Sequence, residues 1–213
     1  MTNQNEEFNP IKDSGSRTIF DSGANRDSKE NNGRIDLMPE AVVADLCDYA
    51  PNNAYVKERE ALLMRGTDDY GRCTDDFKYN GNTDALIRAM YEFIIGKEIF
   101  LDEYKKLAAE LGCEIDVNAI TAKQIVSATM IPLSVHFKNG TLKYGERNWE
   151  KGIPLHSYID SSGRHYHKIN AGFMDEPHHL AVLWNLMCAI WTYDNLPKMN
   201  DLPCGKKLSN EFK

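Results

Sequence analysis

The sequence predicts an all-α protein built as a helical bundle. Three observations carry this. Apolar residues recur at helical spacing in several segments, long alternating strand patterns are absent, and recognisable helix starts and glycine stops bracket the segments. The chain has 213 residues, which suits one domain or one domain with an inserted subdomain. Apolar residues make up 42% and charged residues 27%, enough for a sizeable core.

Taken in order, residues 1–16 are polar and read as a mobile tail. Residues 17–36, RTIFDSGANRDSKENNGRID, are dominated by Gly, Asn, Ser and Asp and read as loop. MPEAVVADLCDYA follows as helix, with Pro39 suited to a first helical position and Glu40 in the first turn. Residues 51–82 read as irregular. After Thr83, ALIRAMYEFIIG places Leu86, Ile87, Met90, Phe93 and Ile94 at helical spacing. DEYKKLAAELG reads as a second helix stopped by Gly112. EIDVNAIT is ambiguous.

From Thr121 the chain is again helical through AKQIVSATMIPLSVHFKNGTLKYG, with Pro132 as a place to kink or divide it. GERNWEKGIP is a polar joint. PLHSYIDSSGRHYHKINAG reads as helix up to Gly172, and the last helix covers 175–193. Residues 196–213 read as an irregular tail.

The formal net charge of −7 argues against nucleic-acid or anionic-membrane partners, which require a basic surface. Small anionic ligands remain open to it, since a few local cations can hold them. The five cysteines, Cys47, Cys73, Cys113, Cys188 and Cys204, include no CxxC pair and fit a reducing compartment. No leader is visible in the polar first twenty residues, and no apolar run reaches the roughly 20 residues of a membrane helix. The expectation is a soluble, cytoplasmic protein.

The last helix poses the main question. DEPHHLAVLWNLMCAIW is apolar nearly all round, yet carries Asp175, Glu176, His178, His179 and Asn185. Asp175 and His178 are three apart and His178 and Asn185 seven apart, so they share a face; Glu176 and His179 form a rotated pair. A buried Asn185 needs partners, because an unpaired buried polar group costs roughly 1–3 kcal/mol. A helix-start acid cluster with a satisfied core asparagine is the plainer alternative.

The preceding helix carries a polar stripe of Asp160, Arg164 and His167, with His165 beside it. Alone, this is an ordinary surface ion pair. The short connection GFM makes the two helices antiparallel neighbours. Histidines 165 and 167 and Lys168 are then expected near Asp175 to His179, with Asp160 deeper, at the level of Asn185. Facing carboxylates and imidazoles in a bundle commonly bind metal, and hard oxygen ligands suit Mg²⁺ or Mn²⁺ held with substrate phosphates. In LKYGERNWEKG, Glu146 and Glu150 are i, i+4 if helical, interleaved with the cations Lys143 and Arg147. Trp149 and Tyr144 could stack on a base and Asn148 could bond one, though the segment also fits plain surface. HD, HExxH, GxxxxGK[ST] and GxSxG motifs are absent.

FDSGANRD…NGRIDLMPEAV, HFKNGTLKYGERNWEKGIPLHSYIDSSGRHYHKINAG and DEPHHLAVLWNLM together resemble the phage-type dATP/dGTP diphosphohydrolases, relatives of the MazG-like all-α pyrophosphohydrolases. The resemblance covers residues 17–50 and 134–192. It implies a catalytic helical core at 17–50 and 134–195, with 51–133 as an inserted helical subdomain. It also implies a homo-oligomeric enzyme, dimer or tetramer, in phage nucleotide-pool metabolism. With Mg²⁺ or Mn²⁺, such enzymes cleave a nucleoside triphosphate between its α- and β-phosphates. The wider superfamily carries ExxE and ExxD pairs; here Asp160 with Arg164 and His165, then Asp175 and Glu176 with His178, stand in those places.

On this reading Glu146, Asp160, Asp175, Glu176 and His178 hold the metal. Asp160, Glu176 and His178 serve the chemistry. Lys143, Arg147, Arg164, Arg26 and Arg34 neutralise polyphosphate, and Asn148, Trp149, His165 and Asn185 complete the substrate site. Two alternatives stand beside it. One is a non-enzymatic phage accessory or assembly protein on the same scaffold. The other is a hydrolase releasing intact triphosphate.

Overall fold

The structure, a computed structural model, describes residues 17–19, 21, 22, 24–27, 33–65 and 81–202. The expected tail at 1–16 and residues 203–213 fall outside these. The chain divides into two units, Met1–Asn32 and Gly33–Lys213. In the first, strands β1 (Arg17–Ile19) and β2 (Asn25–Asp27) form an antiparallel ribbon with Thr18 opposite Arg26. The loop expected over 17–36 is corrected here: the two strands pair as a short hairpin, with Asp21 and Ser22 in a turn between them.

The second unit is all-α. Its helices are α1 (Glu40–Tyr49), α2 (Tyr55–Met64), α3 (Thr83–Gly96), α4 (Glu98–Glu110), α5 (Ala122–Tyr144), α6 (Leu155–Asn170) and α7 (His178–Asn195). Short 3₁₀ turns occupy Ile35–Leu37, Asn148–Lys151 and Pro197–Met199. No helix among the described residues is long and apolar enough to cross a membrane.

α7 is the central helix. From Leu180 to Ile190 only Trp184 reaches the surface, as the nearly all-round apolar sequence requires. α6 packs along it, and α3, α5 and α1 also contact it. Leu46, Leu86, Met90, Ile94, Ile125, Val126, Leu133, Leu183 and Met187 belong to one core. Helices from 51–133 thus share a core with those from 33–50 and 134–195.

Local signals explain most boundaries. Thr121 and Gln124 form a reciprocal capping box at the start of α5. The Asn82 side chain caps α3. α5 runs unbroken through Pro132, which neither divides it nor ends it. α2 corrects the irregular reading of 51–82: YVKEREALLM lacks an apolar stripe, burying only Tyr55 and Leu62, but consists of good helix formers. The N–H of Tyr55 donates to the Ile120 carbonyl at 2.8 Å, and that of Ala122 to Asn53 at 2.9 Å, so α2 is tied to the start of α5.

Gly33 passes so close to α5 that a Cβ there would sit 1.8 Å from Ser134 Oγ and 2.8 Å from the Val135 nitrogen. The backbone of α5 cannot yield as a side chain can. Gly33→Ala is therefore expected to lower stability by about 1–3 kcal/mol, read by urea unfolding. Adding Ser134→Ala should restore only part of it, since the clash with backbone persists; full restoration would contradict this packing.

Candidate functional site

α6 turns its Leu155, Tyr158 and Ser162 inward, all essentially buried. His165 follows three residues after Ser162 and so lies at the edge of the same inward face. Asp160 and His167 lie on the opposite, exposed face, and Arg164, also exposed, lies between that face and the cavity described below. This corrects the expectation of a deep Asp160: its carboxylate is exposed and accepts from Arg164 Nη1 at 2.7 Å.

After α6 the chain turns through Gly172, whose φ is +77°, and returns at α7. Pro177 caps α7, so Asp175 and Glu176 stand in the loop just before the helix and not in its first turn. His178 is 2% exposed, and its Nε2 lies 2.9 Å from Asp175 Oδ1. A carboxylate can only accept, so Nε2 carries the proton and Nδ1 presents a lone pair. This bond to His178 is the main reason the Asp175 carboxyl is held below its usual range.

His178 Nδ1 faces His165 Nδ1 at 3.0 Å, and Glu176 Oε1 lies 3.3 Å from the first and 3.5 Å from the second. These three side chains form a group whose donor atoms could hold one ion. Burial lowers the His165 pKa, with His178 adding to this and Glu176 opposing it, so the ring is neutral near pH 7. Lys168 Nζ sits 3.3 Å from Asp175 Oδ2 and 3.5 Å from Glu176 Oε1. The expected pairing of Glu176 with His179 is not formed. His179 Nε2 instead meets Glu103 Oε1 of α4 at 2.7 Å.

Sequence reasoning named Lys143 but missed two contributors, His136 and Glu103. His136 of α5 has its pKa lowered by burial first and then by His165 and His179, against Glu176, which puts it beside the cluster. Lys143 lies two turns further along α5. Its pKa is raised mainly by a contact with Tyr144, and also by the charge of Glu176. The i, i+7 spacing of 136 and 143 was the available signal. Glu103 carried none, being 76 residues from its partner.

Further along α7, at the level of Trp184 and Asn185, α5, α6, α7 and the 145–152 connection enclose a cavity of about 370 Å³. Its polar lining includes Arg147, Asn148, Arg164 and Asn185, and its aromatic lining Tyr144, Trp149 and Trp184. Asn185 is buried; its Nδ2 donates to the Ala181 carbonyl at 2.8 Å, and among the described residues its Oδ1 accepts no bond. Trp149 is 3% exposed, with its indole N–H donating to the Leu37 carbonyl at 3.1 Å and its ring edge-on to Trp191.

The connection between Gly145 (φ +82°) and Gly152 (φ +94°) is a single 3₁₀ turn, so Glu146 and Glu150 do not form an i, i+4 pair. Arg147 adopts a left-handed φ of 49°, donates to the Asp36 carbonyl and pairs with Glu150. Glu146 pairs with Arg34 at 3.0 Å, and Arg34 also with Asp36. Glu146 and Arg34 therefore stand in an exposed ion network and do not join the cluster. Arg26 lies in β2 of the other unit; its side chain falls outside the description.

Residues 111–202 match the family model described as dATP/dGTP diphosphohydrolase, N-terminal. The match covers a little under half of the chain, and this segment is similar to that family. It includes α5, α6 and α7, and so the whole imidazole–carboxylate group and all of the cavity lining except Leu37. No curated protein and no solved structure matches the chain.

Trp149→Phe keeps an aromatic side chain but removes the indole N–H and its bond to Leu37, leaving a buried carbonyl unpaired. It is expected to cost about 1–3 kcal/mol in chemical denaturation. An unchanged midpoint would mean that this bond does not fasten the 145–152 connection.

Proposed function

We propose that the protein hydrolyses deoxynucleoside triphosphates of the dGTP and dATP type to the monophosphate and pyrophosphate, using Mg²⁺ or Mn²⁺. The observation that carries this is a nucleoside-sized cavity and an imidazole–carboxylate cluster both built on α6 and α7 inside the matched segment. His178 and Asn185 lie on one face of α7, about 10 Å apart along its axis. A sugar and phosphate chain can bridge that gap.

The donor set fits a divalent ion: one carboxylate and two imidazoles converge. His165, Glu176 and His178 would hold it, with Asp175 fixing the tautomer of His178. Bound there, such an ion lowers the pKa of water and screens phosphate charge. The protein's own groups do the rest. Arg147, Arg164 and the Asn185 and Asn148 amides orient the nucleoside end in the cavity, with Trp149 and Trp184 as apolar walls. Lys143 and Lys168 neutralise the polyphosphate in an otherwise acidic protein. Glu176 takes the proton of the water that attacks the α-phosphorus, and pyrophosphate leaves. Asp160 acts through its hold on Arg164.

A larger hollow of about 570 Å³ borders the cluster on the side of Phe93, Ile99, Phe173 and Met174. Two of its polar groups are engaged: Lys97 bonds to Asn170 and Glu98 to Arg59. The smaller cavity is therefore favoured for the base. An oligomeric assembly, a place in phage nucleotide metabolism and a cytoplasmic setting accompany this reading as proposals from the resemblance.

Incubation of the protein with dGTP or dATP and Mn²⁺ should yield monophosphate and pyrophosphate by chromatography. Nucleoside and intact triphosphate would contradict the proposed bond cleavage, and no turnover of any nucleotide would favour a scaffold role. Glu176→Gln is expected to lower kcat by at least about 100-fold. Nucleotide binding should change tryptophan emission, and Trp184→Phe should remove most of that change. An unaltered signal in that variant would move the base out of the smaller cavity.

A further inference from the structure

At the start of α6, away from the imidazole–carboxylate cluster, Asp201, His156 and Ser157 stand in a row. His156 Nδ1 bonds to Asp201 Oδ2, and Ser157 Oγ lies 3.2 Å from His156 Nε2. We propose that Ser157 is a nucleophile, activated by His156 and oriented through Asp201, that takes the acyl group of an activated ester entering the neighbouring cavity. This activity goes beyond the nucleotide reading and does not rest on it.

Proton positions are the first argument. A carboxylate can only accept, so Nδ1 of His156 donates to Asp201 and carries the proton of the neutral ring. Nε2 is then a lone pair, and the Ser157 hydroxyl donates to it. A hydroxyl whose proton already points at an imidazole, which a carboxylate holds from behind, is what a nucleophilic serine needs.

Helix capping alone does not account for the arrangement. Pro154 has no capping side chain, and Asp201 Oδ1 accepts from the His156 backbone N–H at 3.0 Å in its place. That role occupies one oxygen. The other binds the ring, and a cap gains nothing from the bond between the ring and Ser157. Asp201 is itself held: its N–H donates to the Met199 carbonyl at 3.1 Å, and Leu202 beside it is buried.

Placement is the third argument. Ser157 lines the cavity of about 370 Å³, where Phe137, Trp149 and Trp184 offer apolar wall for an acyl chain or an aryl leaving group. Asn148 lines it too, and its amide can donate to the oxyanion that forms. In the first step Ser157 Oγ bonds to the acyl carbon as its proton passes to His156 Nε2. The ester C–O bond breaks, and the alcohol leaves with that proton. His156 is exposed, so water reaches it. In the second step water attacks the acyl carbon, His156 takes its proton and returns it to Ser157 Oγ, and the carboxylic acid leaves.

The test treats the full chain with an alkyl fluorophosphonate and, separately, with p-nitrophenyl butyrate. In the first reaction Ser157 Oγ displaces fluoride from phosphorus, and peptide mass spectrometry locates the adduct. Ser157 is expected to carry it and Ser161 to stay unmodified, because Ser161 lines the same cavity but bonds to no histidine among the described residues. The butyrate ester should release a burst of about one nitrophenolate per chain, lost in Ser157→Ala. His156→Gln is expected to slow both reactions at least about 100-fold. Asp201→Asn keeps an acceptor for the His156 N–H and should slow them less. An unmodified Ser157, equal modification of Ser161, or an undiminished rate in His156→Gln overturns the proposal. The two serines are compared within one unaltered chain, so a folding defect in a variant cannot shelter the idea.

Discussion

The close packing of α6 on α7 is the contact on which the rest depends. Ser162 is fully buried between the helices, and its hydroxyl donates to the Val182 carbonyl at 3.4 Å. A small residue at that position lets the two helices approach. Their register then fixes what meets at the turn: His165, one helical turn beyond Ser162, reaches His178, one turn before Val182. The cluster is thus a consequence of helix packing, and its precision comes from rigid elements on both sides of a short loop.

The same packing separates two chemically different regions. Toward the middle of the hairpin, Tyr158, Trp184 and Asn185 border a cavity whose walls are mostly apolar and whose few polar groups can set orientation. Toward its turn, carboxylates, imidazoles and Lys168 gather. α5 spans both ends, with Phe137 and Thr141 at the cavity and His136 and Lys143 near the acids. On the proposed reading a protein of net charge −7 receives a polyphosphate through local cations, Lys168 beside Asp175 and Glu176 and Lys143, which feels the charge of Glu176.

Helical periodicity made much of this legible. The buried last helix, the antiparallel hairpin, and the nearness of His165 and Lys168 to Asp175–His178 all follow from spacing and from a short connection. Periodicity alone did not say which stripe of α6 faces inward. Asp160 with Arg164 looked like the functional stripe because it was charged, yet Ser162 turns the face carrying His165 to the core. α2 was hidden because its helix propensity comes without an apolar stripe. Glu103, Leu37 and His136 join through tertiary contacts between distant segments, which no local pattern encodes. The i, i+4 reading of Glu146 and Glu150 failed because Gly145 and Gly152 take positive φ and replace a helix with a turn.

The central claim is that one groove holds the base among the aromatic residues and the phosphates beside His165, Glu176 and His178. The most direct measurement is paramagnetic relaxation by Mn²⁺ of a bound, non-hydrolysable dGTP analogue, observed at phosphorus and at the base protons. Strong relaxation of the phosphate nuclei, abolished together with Mn²⁺ binding in His178→Gln, and much weaker relaxation at the base, is the predicted result. Relaxation strongest at the base, or phosphate relaxation undiminished in that variant, would contradict the account.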